Sequence, residues 1–253
     1  MCGRFVSATP PEELAAYFGA TLAAEALAAN YNVAPTADVY AVVDTPQGRE
    51  LQVFHWGLVP AWAKEIKIGQ KMINARAETL AEKAAFKSVF RRHRCIVPVD
   101  GFYEWQTVPG LVNAAGKPAK QPRYIHRLDG EPLAFAGLWS AWRDPAQPPE
   151  APRLHSATII TTTANGDMAP IHDRMPVLLP ASRWAEWLDP ANEDTETLGR
   201  LLVPAPDGLL VSHAVSTDVN NVRNRGEHLP DATAPLAPAG AADPPDGADR
   251  LPL

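Results

Sequence analysis

Two cysteines, Cys2 and Cys95, are all that 253 residues contain, too few for a disulfide framework. No run of about 18 apolar residues occurs, so no segment reads as a membrane-spanning helix. The start of the chain has no basic stretch followed by an apolar core, so it does not read as a secretory signal. A reduced, cytoplasmic compartment is the expectation. Several catalytic patterns are also missing. There is no glycine-rich loop ahead of a Lys-Ser/Thr pair and no Gly-x-Ser-x-Gly elbow, which sets aside P-loop nucleotide chemistry and the α/β-hydrolase nucleophile. No two of the seven histidines stand four apart and no Cys-x-x-Cys occurs, so neither a metal nor a cofactor is expected.

What is present is an ordinary globular composition, 46% apolar and 21% charged, long enough for one sizeable core. The net charge of −6 argues against a nucleic-acid partner only until its distribution is read. Residues 61–96 carry nine cations (Lys64, Lys67, Lys71, Arg76, Lys83, Lys87, Arg91, Arg92 and Arg94) against Glu65, Glu78 and Glu82. That segment is therefore +6 and the remainder −12. Phosphate neutralisation is a near-surface effect screened within about 10 Å, so a local excess can serve a polyanion; a solvated helix face would look the same. Residues 231–253 are dominated by Ala, Pro, Asp and Gly with leucine the only large apolar type, which predicts a disordered tail after a domain spanning 1–230.

Hydrophobic periodicity predicts an α+β fold. Thr9-Pro10-Pro11-Glu12 reads as a capping-box helix start, followed by Leu14, Tyr17, Phe18 and Leu22 on one face. Further helices are expected over 77–92, 182–188 and 195–202. Strands are expected over 39–43, 51–58, 95–99, 102–106, 124–128, 133–142, 157–163, 177–179 and 210–215. Helices do not alternate regularly with strands, so a curled, mostly antiparallel sheet is favoured over a doubly wound one. Residues 107–121 and 145–152 read as loops.

Four segments hold candidate chemistry. Cys2 follows Met1; with Met1 removed it would carry a free α-amine and a thiol, with reference pKa values of about 8 and 8.5. Such a 1,2-aminothiol can condense with an aldehyde through nitrogen and then close a thiazolidine through sulfur. A buried, inert cysteine is the plainer alternative. Asn74 stands where a helix N-cap would, and Arg76 follows in what would be the first turn, a setting that can also bind phosphate. Glu104 lies in the aromatic run Phe102-Tyr103-Glu104-Trp105; period two puts it on the face of Phe102, where desolvation suits a general acid/base. His172, Asp173 and Arg174 form a polar loop leading into an apolar strand, as functional groups or as a structural ion pair. His93 and Cys95 read as a basic surface and a core position.

Together these residues resemble the SOS-response-associated peptidase (SRAP) family, the abasic-site processing proteins. The resemblance rests on Met1-Cys2-Gly3-Arg4-Phe5, Tyr31-Asn32-Val33-Ala34-Pro35-Thr36, Trp56-Gly57-Leu58-Val59-Pro60-Ala61-Trp62 and Asn74-Ala75-Arg76-Ala77-Glu78-Thr79. It continues through the segment from Cys95 to Trp105, Phe135-Ala136-Gly137-Leu138-Trp139, Thr161-Thr162-Thr163-Ala164-Asn165, Ile171-His172-Asp173-Arg174-Met175-Pro176 and Val219-Asn220-Asn221-Val222-Arg223-Asn224. It implies strands curled into a pseudo-barrel with flanking helices. It also implies a monomer acting in the cytoplasm, and at the nucleoid on damage, on single-stranded DNA containing abasic sites. Cys2 would be the nucleophile, with Asn74, Glu104 and His172 beside it, and an autopeptidase step would expose the cysteine. Arg4, Arg76 and Arg174 would meet phosphates, and Trp56, Trp62 and Trp105 would stack bases. Two rivals remain: a non-catalytic reader of single strands, and an N-terminal-cysteine glutamine amidohydrolase, in which Glu104 and His172 would have no place.

Overall fold

The computed structural model describes residues 2–236. In chain order its elements are β1 (Phe5–Ser7), α1 (Pro11–Phe18), β2 (Thr21–Leu22), β3 (Asn30–Val33), β4 (Asp38–Thr45), β5 (Gly48–Trp56) and β6 (Asn74–Arg76). There follow α2 (Lys87–Arg92), β7 (Arg94–Val99), β8 (Gly101–Val112), β9 (Pro118–Arg127), β10 (Leu133–Trp142) and β11 (Leu154–Thr163). The last are β12 (Arg174–Pro176), α3 (Trp184–Leu188), α4 (Thr195–Gly199) and β13 (Leu210–Ala214).

One sheet has the order β13-β9-β8-β1-β3, and the other runs β12-β11-β10-β7-β4-β5-β2, with β6 added beside β11. β11 also pairs with β5 through Ser156 with His55 and Ala157 with Trp56, so β5, β4, β7, β10 and β11 form a closed ring. That is the curled, mostly antiparallel α+β architecture expected from the sequence. Strand alternation sorts the core. Cys95, Val97 and Val99 of β7 join Phe54, Trp56, Phe135 and Ile159 on the face that also takes Phe5, Phe102 and Ile125 of the other sheet. Ile96, Leu51 and Leu138 point the other way and pack under the helices against Phe18, Phe90, Trp184 and Trp187. Gly101 lets β8 begin: a Cβ there would lie 2.3 Å from the Tyr124 hydroxyl.

Several local expectations are corrected. The helix expected over 77–92 is a 3-10 turn at Ala77–Thr79 and then the short α2. Ala84 is exposed, while Phe86 and Phe90, four apart, are buried and set the helix phase. Asn74 is no N-cap: it opens β6, paired with Ile159 of β11. Thr9 does not cap α1, whose N-cap is Pro10 without a side-chain bond; its hydroxyl donates to Asp100 Oδ1 at 2.5 Å. Asp100 Oδ2 also accepts from the Ala8 and Thr9 amides, so the carboxylate anchors the turn that leads into the helix. Residues 107–121, read as a loop, are mostly the long hairpin of β8 and β9, paired from Phe102 with Ile125 to Val112 with Pro118. The strand expected over 177–179 comes earlier, as β12, and Leu178 adds a single bridge to Phe135. In the predicted tail, the amides of Thr233 and Leu236 donate to Ala214 O at 2.9 Å and Gln121 Oε1 at 2.7 Å. The rest of that segment, 237–253, lies outside the described residues. No helix among the described residues is long and apolar enough to cross a membrane.

Candidate active site

Cys2 is fully buried in the core between the sheets, with Phe5, Trp56 and Phe102 in the same cluster. Its carbonyl accepts a 2.7 Å hydrogen bond from Asn74 Nδ2. β6 is only three residues long, yet its pairing with β11 fixes Asn74 where that bond can form. The thiol is pushed far above its ordinary range, first by burial and then by the negative charge of Glu104, while the Arg4 amide donates toward it and opposes the shift. Glu104 is 4% exposed. Its approach follows from register: β1 and β8 pair Phe5 with Phe102, and the Tyr103 amide donates to Arg4 O at 2.9 Å. Extending that pairing one residue sets Glu104 opposite Gly3. The alternation expected for this strand holds, since Phe102 faces the Cys2 cluster and Tyr103 packs on the opposite side with Val6, Val215 and Val219.

Two residues beyond Asn74, Arg76 enters a cleft of about 620 Å³ shared with Glu78, Thr79, His172, Asp173 and Arg174. β11 brings the two arginines together, because Thr161 pairs with Arg76 on one side and Thr163 with Arg174 on the other. Arg174 forms a fork with Glu78, Nη1 to Oε1 at 2.6 Å and Nη2 to Oε2 at 2.9 Å, and Nη2 also donates to Thr161 O at 2.7 Å. His172 Nδ1 lies 3.0 Å from the Arg174 amide and 2.8 Å from Asp173 Oδ1. One nitrogen cannot serve both at once. In the neutral ring its lone pair accepts from Arg174, which puts the hydrogen on Nε2; in the imidazolium Nδ1–H donates to Asp173.

The other sequence candidates fall elsewhere. Arg4 is half-buried: Nη1 donates to Asn32 Oδ1 and to Val219 O, both at 2.8 Å, and the guanidinium lies 5.7 Å from the Trp105 ring. Those contacts anchor the N-terminal strand. Trp56, proposed as a base-stacking residue, is 1% exposed and tilted onto Phe5, and its Nε1 donates to Ile73 O at 3.0 Å. Its indole supports the residue before Asn74 and presents no face to a base. Trp62, by contrast, is 62% exposed beside Lys64, Lys67 and Lys71. Trp105 Nε1 donates to Asn220 Oδ1 at 2.7 Å.

Sequence reasoning assigned no chemistry to Asn32 or Glu78, although both lie in its motifs. Asn32 is buried and its Nδ2 reaches the carbonyls of Val219, Asn221 and Asn224, tying β3 to the closing segment. A buried asparagine inside a four-residue strand carries no local signal of that role. Among the described residues no group of three His, Cys, Asp or Glu side chains could hold a metal ion.

Comparison with known proteins places the chain in a family. The SOS response associated peptidase (SRAP) profile matches residues 1–222. The chain is 38% identical over 231 residues to the abasic site processing protein YoqW of Bacillus subtilis, covering 90% of this chain and 98% of that one. It is 36% identical over 193 residues to the abasic site processing protein HMCES of Xenopus tropicalis, covering 70% of this chain and 55% of that one. Among solved structures, a Bacteroides thetaiotaomicron protein superposes with a TM-score of 0.75 at 25% identity, covering 89% of this chain and all of that one. A phage-related protein from Bordetella bronchiseptica gives 0.65 at 32% identity, covering 85% of this chain and 95% of that one. With its profile matched across nearly the whole fold, the chain belongs to the SOS response associated peptidase (SRAP) family.

Proposed function

We propose that this protein captures abasic sites in single-stranded DNA through Cys2, once Met1 has been removed by its own peptidase action or another's. Its relatives in Bacillus subtilis and Xenopus tropicalis are named abasic site processing proteins. The observation that carries the reading is the bond from Asn74 Nδ2 to Cys2 O, which holds the cysteine backbone beside Glu104, two residues along β6 from Arg76 in the cleft it shares with Arg174.

The ring-opened sugar of an abasic site presents an aldehyde at C1′. The freed Cys2 amine adds to it and water leaves, giving an imine. The thiol then adds across the carbon–nitrogen double bond: sulfur bonds to C1′, the thiol proton passes to nitrogen, and a five-membered thiazolidine closes. A bare imine at C1′ invites β-elimination and strand cleavage, and ring closure removes it. Because burial and Glu104 hold the sulfur in its protonated form, the last step needs a proton carrier at that point. Glu104 fills that role, His172 serves the opened sugar as acid/base, and Asn74 fixes the backbone. Arg76 and Arg174 receive the flanking phosphates, and Trp62 with its neighbouring lysines offers a stacking platform.

The test is denaturing electrophoresis of the protein mixed with an abasic single strand. Wild type should give a heat-stable adduct, and Cys2→Ala, Cys2→Ser and any form retaining Met1 should not. Glu104→Gln should slow capture by ~10²–10⁴-fold if its proton transfer limits the rate. A stable adduct from Cys2→Ala without reductant refutes the nucleophile, and superimposable pH–rate profiles for wild type and Glu104→Gln refute the carboxylate's role.

A further inference from the structure

The cleft that holds the two arginines also holds the group best placed to oppose a phosphate. Glu78 spans the outer edge of the Arg174 guanidinium with both oxygens, at 2.6 and 2.9 Å, in the two-point geometry a phosphate would adopt. Arg174 Nη2 also donates to Thr161, and Asp173 turns to His172. The pair is asymmetric: the Arg174 side chain is 14% exposed, locked against β11, while that of Glu78 is 48% exposed and sits within a short 3-10 turn. The arginine is fixed and the carboxylate is the partner able to leave. Arg76 also draws Glu78 inward, and the Arg174 bond first, then both arginine charges, hold its carboxyl below the ordinary range, so it stays ionised near neutrality. With Arg76 and Arg174 set against Glu78 and Asp173, the resting cleft carries no net charge while His172 is neutral.

We propose that Glu78 is the specificity gate of this cleft, a carboxylate seated on Arg174 in the free protein that an incoming strand must displace. Undamaged DNA then gains one fewer effective cation and dissociates readily, whereas a strand carrying an aldehyde is retained by its bond to Cys2. The inference rests on the reading of the cleft as a phosphate groove.

The experiment is binding of a fluorescent, undamaged single strand across a salt series, in a Cys2→Ala background that excludes covalent capture. Glu78→Gln keeps the shape and one acceptor but removes the charge. It should tighten binding roughly five- to tenfold and steepen the log–log salt slope by about one counterion. Glu78→Ala should shift both in the same direction. Asp173→Asn, which removes an equally charged neighbour that does not touch Arg174, should change affinity by less than half as much on the logarithmic scale. If Glu78→Gln and Glu78→Ala weaken binding, the carboxylate braces Arg174 and the proposal is wrong. It is equally overturned if Asp173→Asn matches Glu78→Gln, since only total charge would then matter. Capture of an abasic strand by the Cys2-containing protein separates the two levels. Capture with an unmoved Glu78 variant sinks this inference alone, and neither capture nor binding sinks the reading beneath it.

Discussion

Replacing Asn74 tests whether the site depends on a donor at that point or merely on a polar residue. Cys2 is fully buried, so its carbonyl has no access to water when the 2.7 Å bond from Asn74 Nδ2 is lost. An unmet buried acceptor costs about 1–3 kcal/mol. Against this, Asn74 Oδ1 is itself buried without a hydrogen-bond partner among the described residues, and Asn74→Ala deletes that liability along with the donor. The two effects oppose each other in global stability, so the melting temperature of Asn74→Ala should move by only a few degrees. They do not oppose each other in capture, because the cysteine backbone loses its tether in either case. A loss of about 1–2 kcal/mol there is a five- to thirtyfold slower adduct. Asn74→Asp sharpens the test: it is isosteric, but an ionised carboxylate only accepts and would face the carbonyl oxygen. Capture should therefore rank wild type, then Ala, then Asp. The assay is the single-turnover rate of adduct formation at saturating protein, with affinity for an undamaged strand measured in parallel. An Asp variant as fast as wild type, or an Ala effect confined to affinity, would refute the tethering role.

Two further expectations concern the scaffold. Arg94 is 2% exposed and its guanidinium donates to the carbonyls of Phe90, Arg91, Trp187, Asp189 and Asn192, stapling α2 to α3; burial lowers its pKa to about 10. Arg94→Lys supplies at most three donors to those five carbonyls and should cost about 2–4 kcal/mol by urea denaturation; a loss under about 1 kcal/mol would show that the staple is dispensable. Thr36 holds φ 74 at an exposed turn, a conformation that strains a β-branched residue, so Thr36→Gly should raise stability by about 0.5–1 kcal/mol in thermal melts. An unchanged or lower melting temperature would mean that the turn is not strained.

The features legible in the sequence are those whose cause is local. Period-two alternation in 102–105 placed Glu104 on the buried face, since the pleat alone decides that. The long strands β4, β5, β7, β10 and β11 announced themselves by β-branched and aromatic runs. The features that were missed depend on partners distant in the chain. β1, β3 and β6 are three or four residues long, too short for any periodicity, and exist because β8 pairs with β1, β1 with β3, and β11 with β6. Asn74 followed by Ala, Arg, Ala and Glu is as good a helix start as a strand end until β11 lies alongside. Trp56 likewise shows nothing in its own neighbourhood to separate a stacking platform from a core indole; Phe5 and Ile73 O settle it.

The same distinction explains why the site could be listed but not assembled from sequence. Glu104 belongs to the five-stranded sheet, through β8, and Asn74 to the other sheet, through β6. Cys2 is the short link between them: three residues ahead of Phe5, it leaves β1 and is caught by Asn74 across the gap. Its position is therefore set by the packing of two sheets rather than by either one. That packing is made of the apolar faces of Phe5, Trp56, Phe102, Phe135 and Ile159, none of which has any chemistry to offer. Residue types and spacing can nominate a thiol, an amide and a carboxylate, but only sheet-on-sheet packing determines whether they meet. A substitution deep in that layer should accordingly disturb the reactive geometry as surely as one in the cleft.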